Sequence, residues 1–194
     1  AAPHHSAKRR FSASAPLDTF DPEESRQVRV PERTSLSFEV MPPRHDADEA
    51  SIDALLATLQ SYSPDYISVT SSRNSAWLEG TPRFIENPPA STRLPTLAHL
   101  ACTAGTRAEL IGWINRLLDS GVRGLLALRG DLAEGQTEMP AGYLPHATDL
   151  INLIQSIEDD QVARFGAGRL AIGVAACPSG HEESANMDED IDVL

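Results

Sequence analysis

The chain has 194 residues, of which 41% are hydrophobic and 23% charged, and its net charge is −12. That length supports one domain with a core of its own. The acidity argues against nucleic acid and anionic membranes as partners, and no apolar run approaches the ~20 residues that cross a bilayer. Two cysteines, Cys102 and Cys177, give neither a metal-ligand spacing nor a disulfide framework. They read as small buried hydrophobes in a reducing, cytoplasmic setting.

Residues 1–33 are rich in Ala, Ser, Pro and charge without a sustained period, and are expected to form a mobile arm. The basic cluster from His4 to Arg10 has no apolar stretch behind it and reads as a solvated tail. A single domain is expected over residues 34–194. Thr34 to Val40 (TSLSFEV) predicts a strand, stopped by Met41-Pro42-Pro43. Asp46 to Ser61 predicts a helix, with Ile52, Leu55, Leu56 and Leu59 at helical spacing. Pro64 breaks it, and Tyr66 to Thr70 (YISVT) is the second strand, followed by a polar loop and a Pro-rich connection. Thr96 to Cys102 (TLAHLAC) is the third. Thr106 caps a helix to Asp119 that buries Leu110, Ile111, Ile114, Leu117 and Leu118, and Gly121 ends it. Gly124 to Leu128 (GLLAL) is a buried fourth strand. His146 to Glu158 is helical, Leu170 to Ala176 (LAIGVAA) is the fifth strand, and another helix begins at Asp188.

Short apolar strands alternating with helices imply a parallel sheet with helical crossovers. Two closures fit, an open doubly wound sheet or a (β/α) barrel. No strand runs into G-x-G-x-x-G, and no G-x-x-x-x-G-K-[ST] occurs, so the usual signature of an open nucleotide-binding sheet is missing. Glu39 ends the first strand, Thr70 the second, and His99 lies late in the third. Asp131 follows the fourth strand and His181 the fifth. Polar groups at the C-terminal ends of consecutive strands converge in a barrel, where such enzymes place their sites.

Each residue also has a plainer reading. Glu39, between Phe38 and Val40, suits a general acid if the apolar strand desolvates it; an exposed carboxylate paired to Arg44 fits as well. Asp131 can be a helix cap or an Arg129 partner, and Arg129 can hold a phosphate. His99 can be a satisfied core histidine and His181 a loop residue. Trp77 and Trp113 read as packing groups, and the acidic run Glu182 to Asp192 as a solvated face. No metal site is expected.

The strings LSFEVMPPR, YISVT, LAHLACT, LALRGDL and VAACPSGHEES, in that order and spacing, resemble the methylenetetrahydrofolate reductase family over residues 34–194. The first and fourth strings are the most specific. The resemblance implies a TIM-type (β/α)8 barrel, an α/β fold of which this chain covers about the first five β/α units. It implies FAD at the C-terminal face, NADH or NADPH as reductant, and reduction of 5,10-methylenetetrahydrofolate to 5-methyltetrahydrofolate for methionine synthesis. By position, Glu39 resembles the family's general acid and Asp131 its aspartate beside flavin and folate. Thr70, His99, Arg129, Gly130, Asp131, Ala147, Cys177, His181, Ser184 and Asp190 fall at FAD-binding positions. Cys177 stands where bacterial members commonly have Tyr, and Ser184 where the family often has Ala. The resemblance also implies a homo-oligomer at full length. Later strands would add a Lys, a Gln and a Phe, so this chain alone is expected to be poorly stable and inactive. Two other readings remain: another barrel enzyme, though the strands carry no Schiff-base Lys, and a non-catalytic relative.

Overall fold

The computed structural model describes residues 34–42, 49–71, 81–82, 94–177, 179–180, 184–188 and 191. The expected arm at residues 1–33, Arg44, Trp77, His181 and Asp190 lie outside the described residues. Five strands are present: β1 Ser37–Val40, β2 Tyr66–Val69, β3 Thr96–Ala101, β4 Gly124–Leu128 and β5 Ala171–Val174. Among the described residues three α-helices accompany them: α1 Glu49–Ser61, α2 Arg107–Asp119 and α3 Ala147–Asp160. Residues 81 and 82, in the connection expected to be loop, and residues 187, 188 and 191 are helical as well.

All four strand pairings are parallel, and the sheet order is β1-β2-β3-β4-β5. Adjacent pairing of consecutive strands gives no reversal of order, the feature that marks the switch point of a doubly wound sheet. The helices agree. Leu56 and Leu59 of α1 pack with Ile67, Val69, Phe38 and Val40. Leu110, Ile114, Leu117 and Leu118 of α2 join Leu150, Leu153, Ile154 and Ile157 of α3 against Ala98, Leu100, Leu125 and Ala127. In the strand register Val40 pairs with Val69 and Val69 with Ala98, while Ala98 pairs with Leu125. Since side chains alternate across a strand, all three helices therefore cover one face. A doubly wound sheet has helices on both. Three helices on one face of sequentially ordered parallel strands are consistent with part of a TIM-type barrel.

The opposite face carries Glu39, Ser68, Leu97, His99, Leu126 and Gly173, as the register pairs Glu39–Ser68, Ser68–Leu97, His99–Leu126 and Leu126–Gly173 require. Two glycines shape it. A Cβ on Gly124 would stand 3.1 Å from Leu97 Cδ1, and one on Gly173 3.0 Å from Leu126 Cδ1. Each glycine thus lets a leucine of the preceding strand lean across its neighbour.

Local signals explain the element ends. The Thr106 N–H and hydroxyl each donate to Glu109 Oε2 at 2.7 Å, while the Glu109 N–H donates back to Thr106 Oγ1 at 3.4 Å. This capping box satisfies orphan donors at the start of α2 and stabilises it by about 1 kcal/mol. The Thr106 hydroxyl and N–H hold the Glu109 carboxyl below the usual range. At the far end, Gly121 takes φ +96 after Ser120. Arg164, in the short 3-10 segment after α3, donates to Asn115 Oδ1 and to Gln161 Oε1, each at 3.1 Å, and pairs with Asp119. It ties the C-terminal end of α2 to the return into β5.

Some expectations need correction. Apart from β4, the strands are one to three residues shorter than the apolar pattern suggests. At β1 the pairing with β2 begins only at Ser37, because a ladder needs a hydrogen-bonded neighbour beside each residue and an apolar period does not. Leu55 is exposed although its spacing matches the buried face of α1. Helix α3 runs to Asp160, with His146 as its cap rather than its first residue. Its Glu158 is buried and accepts a hydrogen bond from the Leu170 N–H at 2.6 Å, with Arg169 Nη1 3.7 Å away. Cys177 is exposed, not buried, because β5 ends at Val174 and the chain has left the sheet.

Candidate functional site

The site begins where β1, β2 and β3 meet on the face opposite α1, α2 and α3. Glu39 is the third residue of β1, and its register partner on β2 is Ser68. His99, on β3, reaches back over β2. Its Nε2 lies 2.7 Å from Ser68 Oγ and 3.8 Å from Glu39 Oε2. Ser68 and His99 are both buried. Burial pushes the His99 imidazole below the ordinary histidine range, against the opposing pull of the Glu39 charge. The ring is therefore neutral at neutral pH, with its tautomer set by its neighbours.

Glu39 does not sit in the apolar environment expected for it. Its side chain is 65% exposed. The cause is strand alternation: Phe38 and Val40 turn toward α1, and Glu39 turns to the open face. The apolar neighbours in sequence are thus not its neighbours in space.

A second group of candidates gathers at the ends of β3 and β4. Cys102 is fully buried, and its thiol donates to the His146 carbonyl at 3.3 Å. Both Arg129 and Asp149 act electrostatically on that thiol. The end of β3, the segment after β4 and the first turn of α3 therefore converge around Cys102. Gly130 has φ +79, and a Cβ there would stand 2.2 Å from Thr103 Oγ1. The Thr103 N–H donates to the Arg129 carbonyl at 3.3 Å. The long connection after β4 also folds onto α2, where the Arg107 N–H donates to the Gly142 carbonyl at 2.9 Å and Thr106 bridges Tyr143. Ala147 is the first residue of α3, in a first turn where the His146 N–H donates to Asp149 Oδ2 at 3.1 Å and the Asp149 N–H to the His146 carbonyl at 3.1 Å, so helix geometry leaves the Ala147 and Thr148 N–H groups without an intrahelical acceptor.

Of the remaining candidates, Thr70 follows β2 and is tied by its N–H to the Val40 carbonyl at 2.9 Å. Asp131 is exposed just past Gly130, and Cys177 is exposed past β5. Ser184 is half-buried in the segment beyond it. His181 and Asp190 fall outside the described residues. Thr70, His99, Arg129, Gly130 and Asp131 all belong to the C-terminal ends of β2, β3 and β4. Among the described residues no group of three or more His, Cys, Asp and Glu is poised for a metal, and no helix is long and apolar enough to cross a membrane.

Residues 25–194 match the family model for methylenetetrahydrofolate reductase. This chain belongs to the methylenetetrahydrofolate reductase family. It is 31% identical to the 5,10-methylenetetrahydrofolate reductase of Salmonella typhimurium over 164 residues, which is 84% of this chain and 51% of the relative. The Escherichia coli enzyme of that name is 30% identical over 164 residues, with the same two shares, 84% and 51%. Methylenetetrahydrofolate reductase 1 of Schizosaccharomyces pombe is 26% identical over 163 residues, 82% of this chain and 26% of the relative. The chain spans about half the length of the bacterial relatives it matches.

Two members of the site escape a reading of sequence: Ser68, which supplies the buried partner of His99, and Cys102, around which the second group assembles. A polar residue at a buried position of YISVT was the available signal for Ser68. Burial raises the Cys102 thiol to about 11, which leaves almost no thiolate at neutral pH. At neutral pH a maleimide is expected to modify Cys177 in the native protein and to leave Cys102 untouched until denaturant is added. Peptide mass mapping checks this, and native modification of Cys102 would show that the β3 end opens.

Proposed function

We propose that the protein to which this chain belongs is an oxidoreductase that reduces 5,10-methylenetetrahydrofolate to 5-methyltetrahydrofolate, with FAD as cofactor and NADH or NADPH as reductant, on a closed TIM-type barrel. The observation that carries the reading is the Glu39–Ser68–His99 cluster on the face opposite α1, α2 and α3 of a sequentially ordered parallel sheet, in a chain of this family.

The residues present suit FAD. A dinucleotide needs a cation and backbone donors for its diphosphate and hydrogen-bonding groups for its ring and ribitol. Arg129 and the first turn of α3 at Ala147 supply the former, and both approach Cys102. Thr70, His99, Gly130 and Asp131 stand at strand ends to supply the latter, with Cys177, His181, Ser184 and Asp190 as further contacts. The thiol of Cys177 cannot stack on a ring as an aromatic side chain does. Held by these residues, FAD would supply the hydride-transfer chemistry that links the nicotinamide to the folate.

The chain's own residues do the proton and charge work. Glu39 delivers a proton to the nitrogen released as the folate imidazolidine ring opens, which leaves the cationic iminium that receives hydride. Its exposure in this chain means that bound ligands and the rest of the barrel would exclude water from it. Asp131 offers a negative charge to the cation. The test is a visible spectrum and an activity assay of the full-length protein with added FAD. NAD(P)H-dependent formation of 5-methyltetrahydrofolate is expected. Absence of that product with both nicotinamides and saturating FAD would remove the reading.

A further inference from the structure

We infer that Ser68 is a positioning residue: its hydroxyl holds the His99 ring in one place while Glu39 gains and loses its proton. This rests on the reductase reading for the role of Glu39, but the placement stands on geometry. Ser68 lies on β2, between the strands that carry the other two groups, and it addresses the same nitrogen that faces Glu39. A ring nitrogen has one in-plane position for a hydrogen bond, so two oxygen groups compete for Nε2. Ser68 holds it at 2.7 Å, and Glu39 stands off at 3.8 Å.

The chemistry of the three groups explains why a hydroxyl is useful there. A carboxylate only accepts hydrogen bonds, and a carboxyl also donates one, whereas a hydroxyl does either without moving its oxygen. With Glu39 ionised, the tautomer protonated at Nε2 donates to Ser68 Oγ. With Glu39 protonated, a bare Nε2 accepts from the Ser68 O–H. In both states the ring stays on Ser68, and the Glu39 carboxyl stays available to a substrate on the open face. Without the hydroxyl, buried Nε2 still has the Glu39 carboxylate 3.8 Å away. A buried N–H without an acceptor is costly, so the ring turns to the carboxylate. That pairing favours the ionised form and withholds the acid from catalysis.

The surroundings leave Glu39 as the charge that matters. From β1 the ring faces Glu39, from β2 Ser68, and its β4 register partner is the apolar Leu126. Among the described residues the other ionisable side chains on or just past these strands and β3 are Tyr66, on β2, Cys102, past the end of β3, and Arg129 and Asp131, past the end of β4. The His99–Glu39 interaction is already felt, since the Glu39 charge opposes the effect of burial on the ring.

The experiment compares the pH profiles of the two half-reactions in full-length wild-type, Ser68→Ala and Ser68→Thr protein. In Ser68→Ala the acid-dependent limb of folate reduction is expected to move to lower pH by about one unit, slowing it about tenfold above the limb. Flavin reduction by the nicotinamide keeps its wild-type pH profile whatever its rate, because His99 is also a proposed flavin contact, and Ser68→Thr, which keeps a hydroxyl, restores the limb. A merely structural role would slow both half-reactions and leave the limb in place, which overturns the inference. If wild-type protein does not reduce the folate, the reductase reading fails on its own. Ser68 is then read from the His99 ring-nitrogen shifts, which should titrate at higher pH in Ser68→Ala; titration unchanged from wild type overturns the inference. Should Ser68→Ala not fold, a crystal structure of Glu39→Gln decides. The ring is expected to remain on Ser68, and a ring turned away from it overturns the inference.

Discussion

Glu39→Gln in the full-length protein is expected to slow folate reduction by roughly 10²–10⁴-fold, the usual contribution of a positioned general acid, while nicotinamide-dependent flavin reduction continues near its wild-type rate. The substitution keeps the shape of the side chain and removes the proton it can give. Only the folate half-reaction opens a ring and releases a basic nitrogen, so only that half-reaction needs the proton. Stopped-flow traces of the two half-reactions, recorded separately, check the split. Equal loss in both would mean that Glu39 shapes the site rather than acting in it. Loss confined to flavin reduction would place it beside the nicotinamide. Glu39→Asp sharpens the test, since it retains the proton but shortens the reach. A partial recovery of folate reduction relative to Gln is expected, because a correctly charged but misplaced acid still transfers a proton inefficiently.

The elements were largely legible because each is announced by local chemistry. GLLAL can hardly be other than a buried strand, and β4 begins and ends on its two terminal residues. Thr106 with Glu109 marks the start of α2, and its five expected apolar positions all face the core or its margin. What pattern alone did not fix is which side of a strand faces which neighbour. Phe38, Glu39 and Val40 look like one apolar environment in sequence, yet alternation sends the carboxylate to the opposite face from its neighbours. Ser68 was hidden for the same reason: its partner is 31 residues away on another strand, so no local signal announces the pair. Glu158 was masked by the helical rhythm around it, since the Leu170 N–H, 12 residues on, and the Arg169 guanidinium 3.7 Å away make its burial tolerable. The choice between an open and a closed sheet also needed pairing order and the common face of the helices. Neither is written in the period of any one segment.

Gly130→Ala is expected to destabilise the protein by about 2–5 kcal/mol and to weaken flavin binding together with it. Two independent costs add. A left-handed backbone at φ +79 penalises a Cβ by about 1–2 kcal/mol. The new atom would also lie 2.2 Å from Thr103 Oγ1 and 3.0 Å from Ala101 Cβ, and forced overpacking of this kind costs about 1–3 kcal/mol. Relief requires either Thr103 to move, which strains its N–H bond to the Arg129 carbonyl, or the backbone at Gly130 to flip. Each route displaces Arg129 and Asp131, the two charged residues that flank the glycine. Thr103→Ala on the Gly130→Ala background removes the closest clash but not the unfavourable φ. It is therefore expected to recover part of the lost stability, and a double-mutant cycle in urea measures how much belongs to the contact. No recovery would assign the whole effect to the backbone. Wild-type stability and undiminished flavin affinity in Gly130→Ala would show that the turn after β4 adapts freely, and that its left-handed residue is not what holds Arg129 and Asp131 at the strand end.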